Sequence, residues 1–109
     1  MKKLYYLSTC STCKDIMKKI DLDGIKSQDV KHEHITEPQL DELIEKAGGV
    51  EQIFSKRSRQ WSAMGLKDKE LTSEDLKKLI LEEYTFLKRP ILLTEHNIYI
   101  GRKVETVND

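Results

Sequence analysis

Apolar residues recur along the chain with two different periods. Lys3-Leu4-Tyr5-Tyr6-Leu7 is a short, aromatic run of unbroken apolar character, which predicts a strand covered on both faces. Ser8-Thr9-Cys10-Ser11-Thr12 then supplies polar residues of the kind that open helices. Cys13, Ile16, Met17 and Ile20 follow at i, i+3, i+4 and i+7, the spacing of one buried helix face, and Gly24 marks the exit. The stretch from Gln28 to Ile35 alternates poorly and carries charge, so it reads as an edge strand.

The second half of the chain carries clearer punctuation. Thr36 and Gln39 fit a capping box with Pro38 in the first turn, Leu40, Leu43, Ile44 and Ala47 repeat at helical spacing, and Gly48-Gly49 ends the run. A short helix over about Val50 to Ser55 and an irregular basic stretch around Trp61 come next. Thr72 and Asp75 make another box-like start, and Leu76, Leu79, Ile80 and Tyr84 continue that face. Pro90 breaks the pattern. Ile91-Leu92-Leu93, a polar turn at Glu95-His96-Asn97 and Ile98-Tyr99-Ile100 then read as a β-hairpin. The order β-α-β, helices, β-β predicts an α/β fold, a mixed sheet with helices packed on it.

Charge and length narrow the function classes. With 19 basic and 19 acidic side chains the formal net charge is zero, which argues against direct nucleic-acid binding or attachment to an anionic membrane. No apolar run approaches the roughly 18 residues of a membrane span. The apolar residues after Met1-Lys2-Lys3 stop at Leu7, too few for a signal-peptide core, so a cytoplasmic location is expected. At 109 residues the chain suits one domain. Two cysteines in such a chain are a redox pair, a metal half-site or buried thiols rather than a disulfide scaffold.

The position of Cys10-Ser11-Thr12-Cys13 favours the redox pair. A C-x-x-C at a helix start puts a thiol among backbone N–H groups and the positive end of the helix dipole, which stabilise a thiolate. Cys10 precedes the first turn, whereas Cys13 shares the apolar face with Ile16 and Met17. That asymmetry makes Cys10 the attacking thiolate and Cys13 the resolving thiol. His32-Glu33-His34 raises a zinc alternative, but such sites space their histidines more widely, and a solvated edge strand is the better reading. His96 falls in the hairpin turn, Trp61 with Met64 reads as a packing anchor, and Lys67 to Glu70 as a mixed-charge loop without evident chemistry.

Tyr5-Tyr6-x-x-x-Cys10 with Cys13, followed by Lys88-Arg89-Pro90-Ile91 before a hairpin, resembles the thioredoxin-fold ArsC/Spx family. Phe54-Ser55-Lys56-Arg57-Ser58 and Met64-Gly65-Leu66 extend the resemblance over nearly the whole chain. It implies one thioredoxin-like domain over residues 1–109, a mixed four-stranded sheet flanked by helices with a helical insertion at about 38–84. It also implies a cis peptide before Pro90, facing Cys10. Arsenate reductases of this family attack arsenate with the first cysteine, hold the oxyanion with three arginines, and turn over with glutathione and glutaredoxin. Carried onto this chain, Cys10 matches the nucleophile, Arg89 the arginine before the proline and Arg102 the arginine after the hairpin. For the third arginine the register gives Ser55, with Lys56 and Arg57 close by, and Arg57 is the candidate.

The chain departs from the reductases at Cys13, where they carry Ser, and at Lys14, where they carry Arg. The motif at Ser55 to Ser58 is closer to Spx, a redox-sensing regulator that contacts the α subunit of RNA polymerase. The chain also stops at Asp109, short of the closing helix common in the family. The resemblance therefore implies a thiol-dependent oxidoreductase with no bound cofactor or metal, acting on a small oxyanion or a disulfide. Glutathione with glutaredoxin, or a thioredoxin, would be the reductant. The alternative is an Spx-like regulator with the C-x-x-C as a switch.

Overall fold

The computed structural model describes residues 2–107. The apolar opening run forms β1 (Lys2–Tyr6), central in a sheet between a parallel partner, β2 (Ile25–Asp29), and an antiparallel one, β3 (Ile91–Leu93). The hairpin is completed by β4 (Ile98–Ile100), giving the order β2-β1-β3-β4. Helix α1 (Ser11–Lys18) connects β1 to β2. This mixed four-stranded sheet with helical elements packed on it is the thioredoxin-like arrangement.

Register decides what the sheet buries. Leu4 stands opposite Leu92 and Leu92 opposite Tyr99, so the three lie in one row across the sheet. Because side chains alternate between sheet faces, this row points to one side, where Ile16 of α1 and Val104 of a terminal 3-10 turn (Gly101–Thr106) close over it. Leu4, Ile16, Leu92 and Val104 are all fully buried, flanked by Met17, Ile20, Ile25 and Val107. Full burial of such a side chain contributes roughly 1.5–3 kcal/mol. This packing fixes the axis of α1, and with it the position of the helix start. Tyr5, Ile91 and Leu93 on the opposite face are also buried, in keeping with a strand apolar on both sides.

The second strand lies earlier than the expected Gln28 to Ile35. Pairing ends at Asp29, and the chain then turns, with the Asp29 carbonyl accepting from the N–H groups of His32 (3.1 Å) and Glu33 (2.8 Å). Side-chain bonds to the backbone prevail over strand extension here. The Asp29 carboxylate accepts from Lys31 N–H at 3.1 Å, and the buried Gln28 amide donates to the Glu33 carbonyl at 3.0 Å. His32-Glu33-His34 therefore sits in and after a turn, not on a strand. The edge position holds, because β2 is an outer strand of the sheet.

Residues 35–88 form a contact unit of their own, distinct from the unit made by 1–34 and 89–109. It contains α2 (Glu37–Ala47), α3 (Arg59–Ala63) and α4 (Ser73–Glu82) with 3-10 turns between them. Both capping boxes form: Thr36 Oγ1 accepts from Gln39 N–H and Gln39 Oε1 from Thr36 N–H, and Thr72 and Asp75 do the same. Gly48 ends α2 in the left-handed conformation at φ 86°, which a side chain would strain. The basic stretch expected to be irregular is helical at α3, because Ser58 Oγ accepts from Gln60 N–H at 3.2 Å and opens a turn. The helix expected over Val50 to Ser55 is reduced to a 3-10 turn at Val50–Gln52. Tyr84 lies beyond the end of α4, in another such turn.

Candidate active site

The loop from β1 into α1 is held from two sides. Cys10 N–H donates to the Leu7 carbonyl at 3.0 Å, and Ser8 N–H donates to Asp29 Oδ1 at 3.3 Å. Cys10 then takes the N-cap position of α1 in an extended conformation, φ −92° and ψ 116°, and its carbonyl accepts from Lys14 N–H at 3.2 Å. An N-cap side chain faces the first free N–H groups of its helix, and here that side chain is a thiol. Cys13, one turn on, lies on the face that carries Ile16 into the core and is fully buried. Neither cysteine is in a disulfide, and Cys10 is partly exposed.

The two thiols have opposite acidities. Partial burial works against a Cys10 thiolate, but the Cys13 and Thr12 backbone N–H groups, the Cys13 thiol and the Arg89 guanidinium favour it more. The net result is a Cys10 thiol more acidic than its ordinary value. Burial pushes Cys13 up to about 12, and the neighbouring Cys10 charge adds to the effect, while the Leu7 backbone and Arg89 oppose it. The partly exposed sulfur of Cys10 therefore gives up its proton more readily than the buried sulfur of Cys13.

Arg89 immediately precedes Pro90, and the Arg89-Pro90 peptide is cis. Arg89 is half-buried, and its charge acts on both sulfurs. Arg102 is placed otherwise. Its side chain is 62% exposed and lies 3.3 Å from Glu105 Oε1 and 3.6 Å from Asp15 Oδ2, in a surface network that Lys19 shares. Arg57 belongs to the 35–88 unit, where it is exposed and its N–H donates to Ser55 Oγ at 3.4 Å. Ser55 and Lys56 belong to that unit too.

Asp29 is a contributor that sequence reasoning overlooked. Slight burial opposes its ionisation, and bonds from Ser8 and the Lys31 N–H, with the charge of the nearby His32, outweigh it, so its carboxyl is more acidic than usual. Its Ser8 contact ties the end of β2 to the loop that carries Cys10. An aspartate at a strand end is a sequence signal for such a turn, but it is hidden when the strand is expected to run on to Ile35. His32 lies 3.7 Å from Asp29 and is 73% exposed, so it faces a carboxylate in solvent. Among the described residues no three His, Cys, Asp or Glu side chains converge as a metal site.

A C-x-x-C whose first cysteine takes the N-cap position of the first helix of a thioredoxin-like sheet, with an arginine, before a cis-proline, whose charge acts on both thiols, defines the class: a thioredoxin-like domain bearing a vicinal thiol pair. The profile of the ArsC family matches residues 5–109, and the chain belongs to that family. Among curated relatives, the global transcriptional regulator Spx of Lactiplantibacillus plantarum is 27% identical over 103 residues, covering 90% of this chain and 76% of that protein. The global transcriptional regulator Spx 2 of Bacillus anthracis is 26% identical over 110 residues, covering 98% and 84%. The solved structure of an arsenate reductase from Vibrio cholerae superposes with a TM-score of 0.82 at 18% identity, covering 97% of this chain and 93% of that one, which shows the shared fold. Among the described residues no helix is long and apolar enough to cross a membrane.

Proposed function

We propose that the protein is a thiol-dependent oxidoreductase in which Cys10 is the nucleophile and Cys13 the resolving thiol. The observation that supports this reading is the opposite displacement of the two acidities across one helical turn. With a disulfide substrate, the Cys10 thiolate attacks one sulfur, forms a mixed disulfide and releases the other half as a thiolate. The mixed disulfide carries no charge on Cys10, so one cause of the high Cys13 value disappears. Cys13 then passes its proton to a departing thiolate and attacks Cys10 Sγ, which releases the second half and closes the Cys10–Cys13 disulfide. Substrate gains the two electrons that the dithiol loses. A thioredoxin, or glutathione with glutaredoxin, would supply them back.

An oxyanion substrate uses the same nucleophile. Arg89, whose charge already acts on Cys10, would pair with the anion, and its planar fork suits two oxygens at once. Arg102 could join only by leaving Glu105 and Asp15. The test uses bis(2-hydroxyethyl) disulfide as substrate. Wild type should yield an intramolecular Cys10–Cys13 disulfide, a monomer lacking the two thiol hydrogens by mass spectrometry. Cys13→Ser should accumulate the mixed disulfide on Cys10. Intermolecular dimers or over-oxidised Cys10 in the wild type would remove Cys13 as resolver.

The relatives named as global transcriptional regulators favour a second reading, a regulator, and the resemblance to Spx would make the same disulfide its switch and the α subunit of RNA polymerase its partner. Polymerase binding that changes between the dithiol and disulfide forms would support it. Catalytic turnover without such binding would favour the enzyme.

A further inference from the structure

A cavity of about 330 Å³ lies within the 35–88 unit, away from the cysteines in sequence and without a part in the dithiol chemistry. Its apolar lining residues are Phe54, Trp61, Leu71 and Leu76, and its charged ones are Lys56, Lys67, Lys69 and Glu51. The volume is at the small end of ligand sites, enough for one large apolar side chain. Trp61 stands with its edge to Phe54, centroids 5.6 Å apart and rings at 67°, and Lys56 Nζ lies 5.4 Å from the centre of its ring.

The lysines are what distinguish this cavity from a packing defect. Elsewhere in the same unit Lys77 sits 2.9 Å from Glu37 and 2.7 Å from Asp41, so its charge is answered. Lys56, Lys67 and Lys69 are exposed, and among the described residues none of them forms an ion pair. The acid at the rim, Glu51, is engaged by Ser73 Oγ at 3.2 Å. In a chain of zero net charge, three ammonium groups without a carboxylate partner, one of them over the Trp61 ring, therefore line a partly apolar pocket.

We propose that this cavity docks an acidic peptide segment of a protein partner, with one bulky apolar side chain inserted between Trp61 and Leu76. Carboxylates on either side of that anchor would meet Lys56, Lys67 and Lys69. An apolar anchor within a polar rim is the arrangement that concentrates binding energy at protein interfaces. Three cations exceed what one small carboxylate can engage, which favours a peptide over a small aryl acid. A nucleic-acid base is disfavoured because Lys56 already covers the Trp61 ring and Glu51 shares the wall.

Trp61 is the single tryptophan, so its emission reports directly on the cavity. The probe is the blocked pentapeptide Asp-Glu-Phe-Glu-Asp, titrated into the full chain. The result expected is a saturable change in emission, weakened by salt. Affinity should fall at least about tenfold when Phe is replaced by Ala in the peptide, and by a similar factor in Lys67→Glu/Lys69→Glu. Lys67→Gln/Lys69→Gln serves as a milder pair should charge reversal disturb folding. Both positions are exposed, so Cys10 alkylation should be unchanged, and failure here leaves the dithiol reading untouched. No saturable change, or binding that both lysine pairs leave intact, would overturn the proposal. So would equal binding of phenylacetate or of single-stranded oligothymidylate.

Discussion

Cys10 and Cys13 are separated by one turn of helix, and their difference in acidity has a simple origin: one is a cap and the other a core residue. The cap faces N–H groups and the Arg89 charge, and the core residue faces Ile16 and its neighbours. This asymmetry is legible in the sequence, because the i, i+3, i+4 pattern assigns Cys13 to the buried face. The setting of Arg102 is not, since its partners Asp15 and Glu105 are brought to it by the packing of α1 against the terminal turn. Removing the guanidinium in Arg89→Ala should raise the pH midpoint of Cys10 alkylation towards the unperturbed value of about 8.5. An unchanged midpoint would separate Arg89 from the thiolate. In Arg89→Lys the charge stays but the fork is lost, so arsenate or sulfate should protect Cys10 from alkylation less well than in the wild type. Equal protection would remove Arg89 from anion binding.

Cys13 also makes a stability prediction. The folded chain keeps its proton up to about 12, whereas the unfolded chain releases it near the ordinary thiol value. A raised folded value contributes stability that is complete below the unfolded value and is lost as pH rises towards the folded one. Urea midpoints should therefore fall more steeply above about pH 8.5 in the wild type than in Cys13→Ser. Parallel slopes would contradict the burial of this thiol.

The two helices opened by capping boxes lie where the sequence places them, whereas α3, opened by the single cap of Ser58, and the end of β2 do not. The boxes at Thr36 and Thr72 announce α2 and α4 because a hydroxyl and a carboxamide or carboxylate three residues apart satisfy each other's backbone N–H groups. Thr72→Ala should cost about 1 kcal/mol by chemical denaturation, within a usual range of about 0.5–2 kcal/mol. No measurable loss would mean that α4 is held by its buried Leu76 and Ile80 alone. The end of β2 cannot be read in the same way. Asp29 turns the chain by accepting from the Lys31, His32 and Glu33 N–H groups, and its carboxylate is also held by Ser8 N–H, a partner more than twenty positions earlier that no local pattern reveals. Ile16→Ala, which opens the core beneath α1, should cost about 2–5 kcal/mol.

For the whole molecule, the order of elements and the hairpin after Pro90 are enough to indicate a mixed sheet, and the ArsC family match agrees with the early Cys and the later Arg-Pro-Ile. The cavity around Trp61 is beyond reach of the sequence. It needs Lys56, Lys67 and Lys69, separated along the chain, to gather around α3 and α4 after folding, and composition shows only a neutral total. The family match leaves enzyme and regulator as alternatives, yet both depend on the same pair of unequal thiols. Site-resolved alkylation of the reduced wild-type protein with iodoacetamide, followed across pH by peptide mass spectrometry, measures that inequality directly. Cys10 should be labelled with a midpoint below about 8.5, while Cys13 stays unlabelled until the fold is lost. Equal labelling of the two cysteines, or a Cys10 midpoint at or above the unperturbed value, would contradict it.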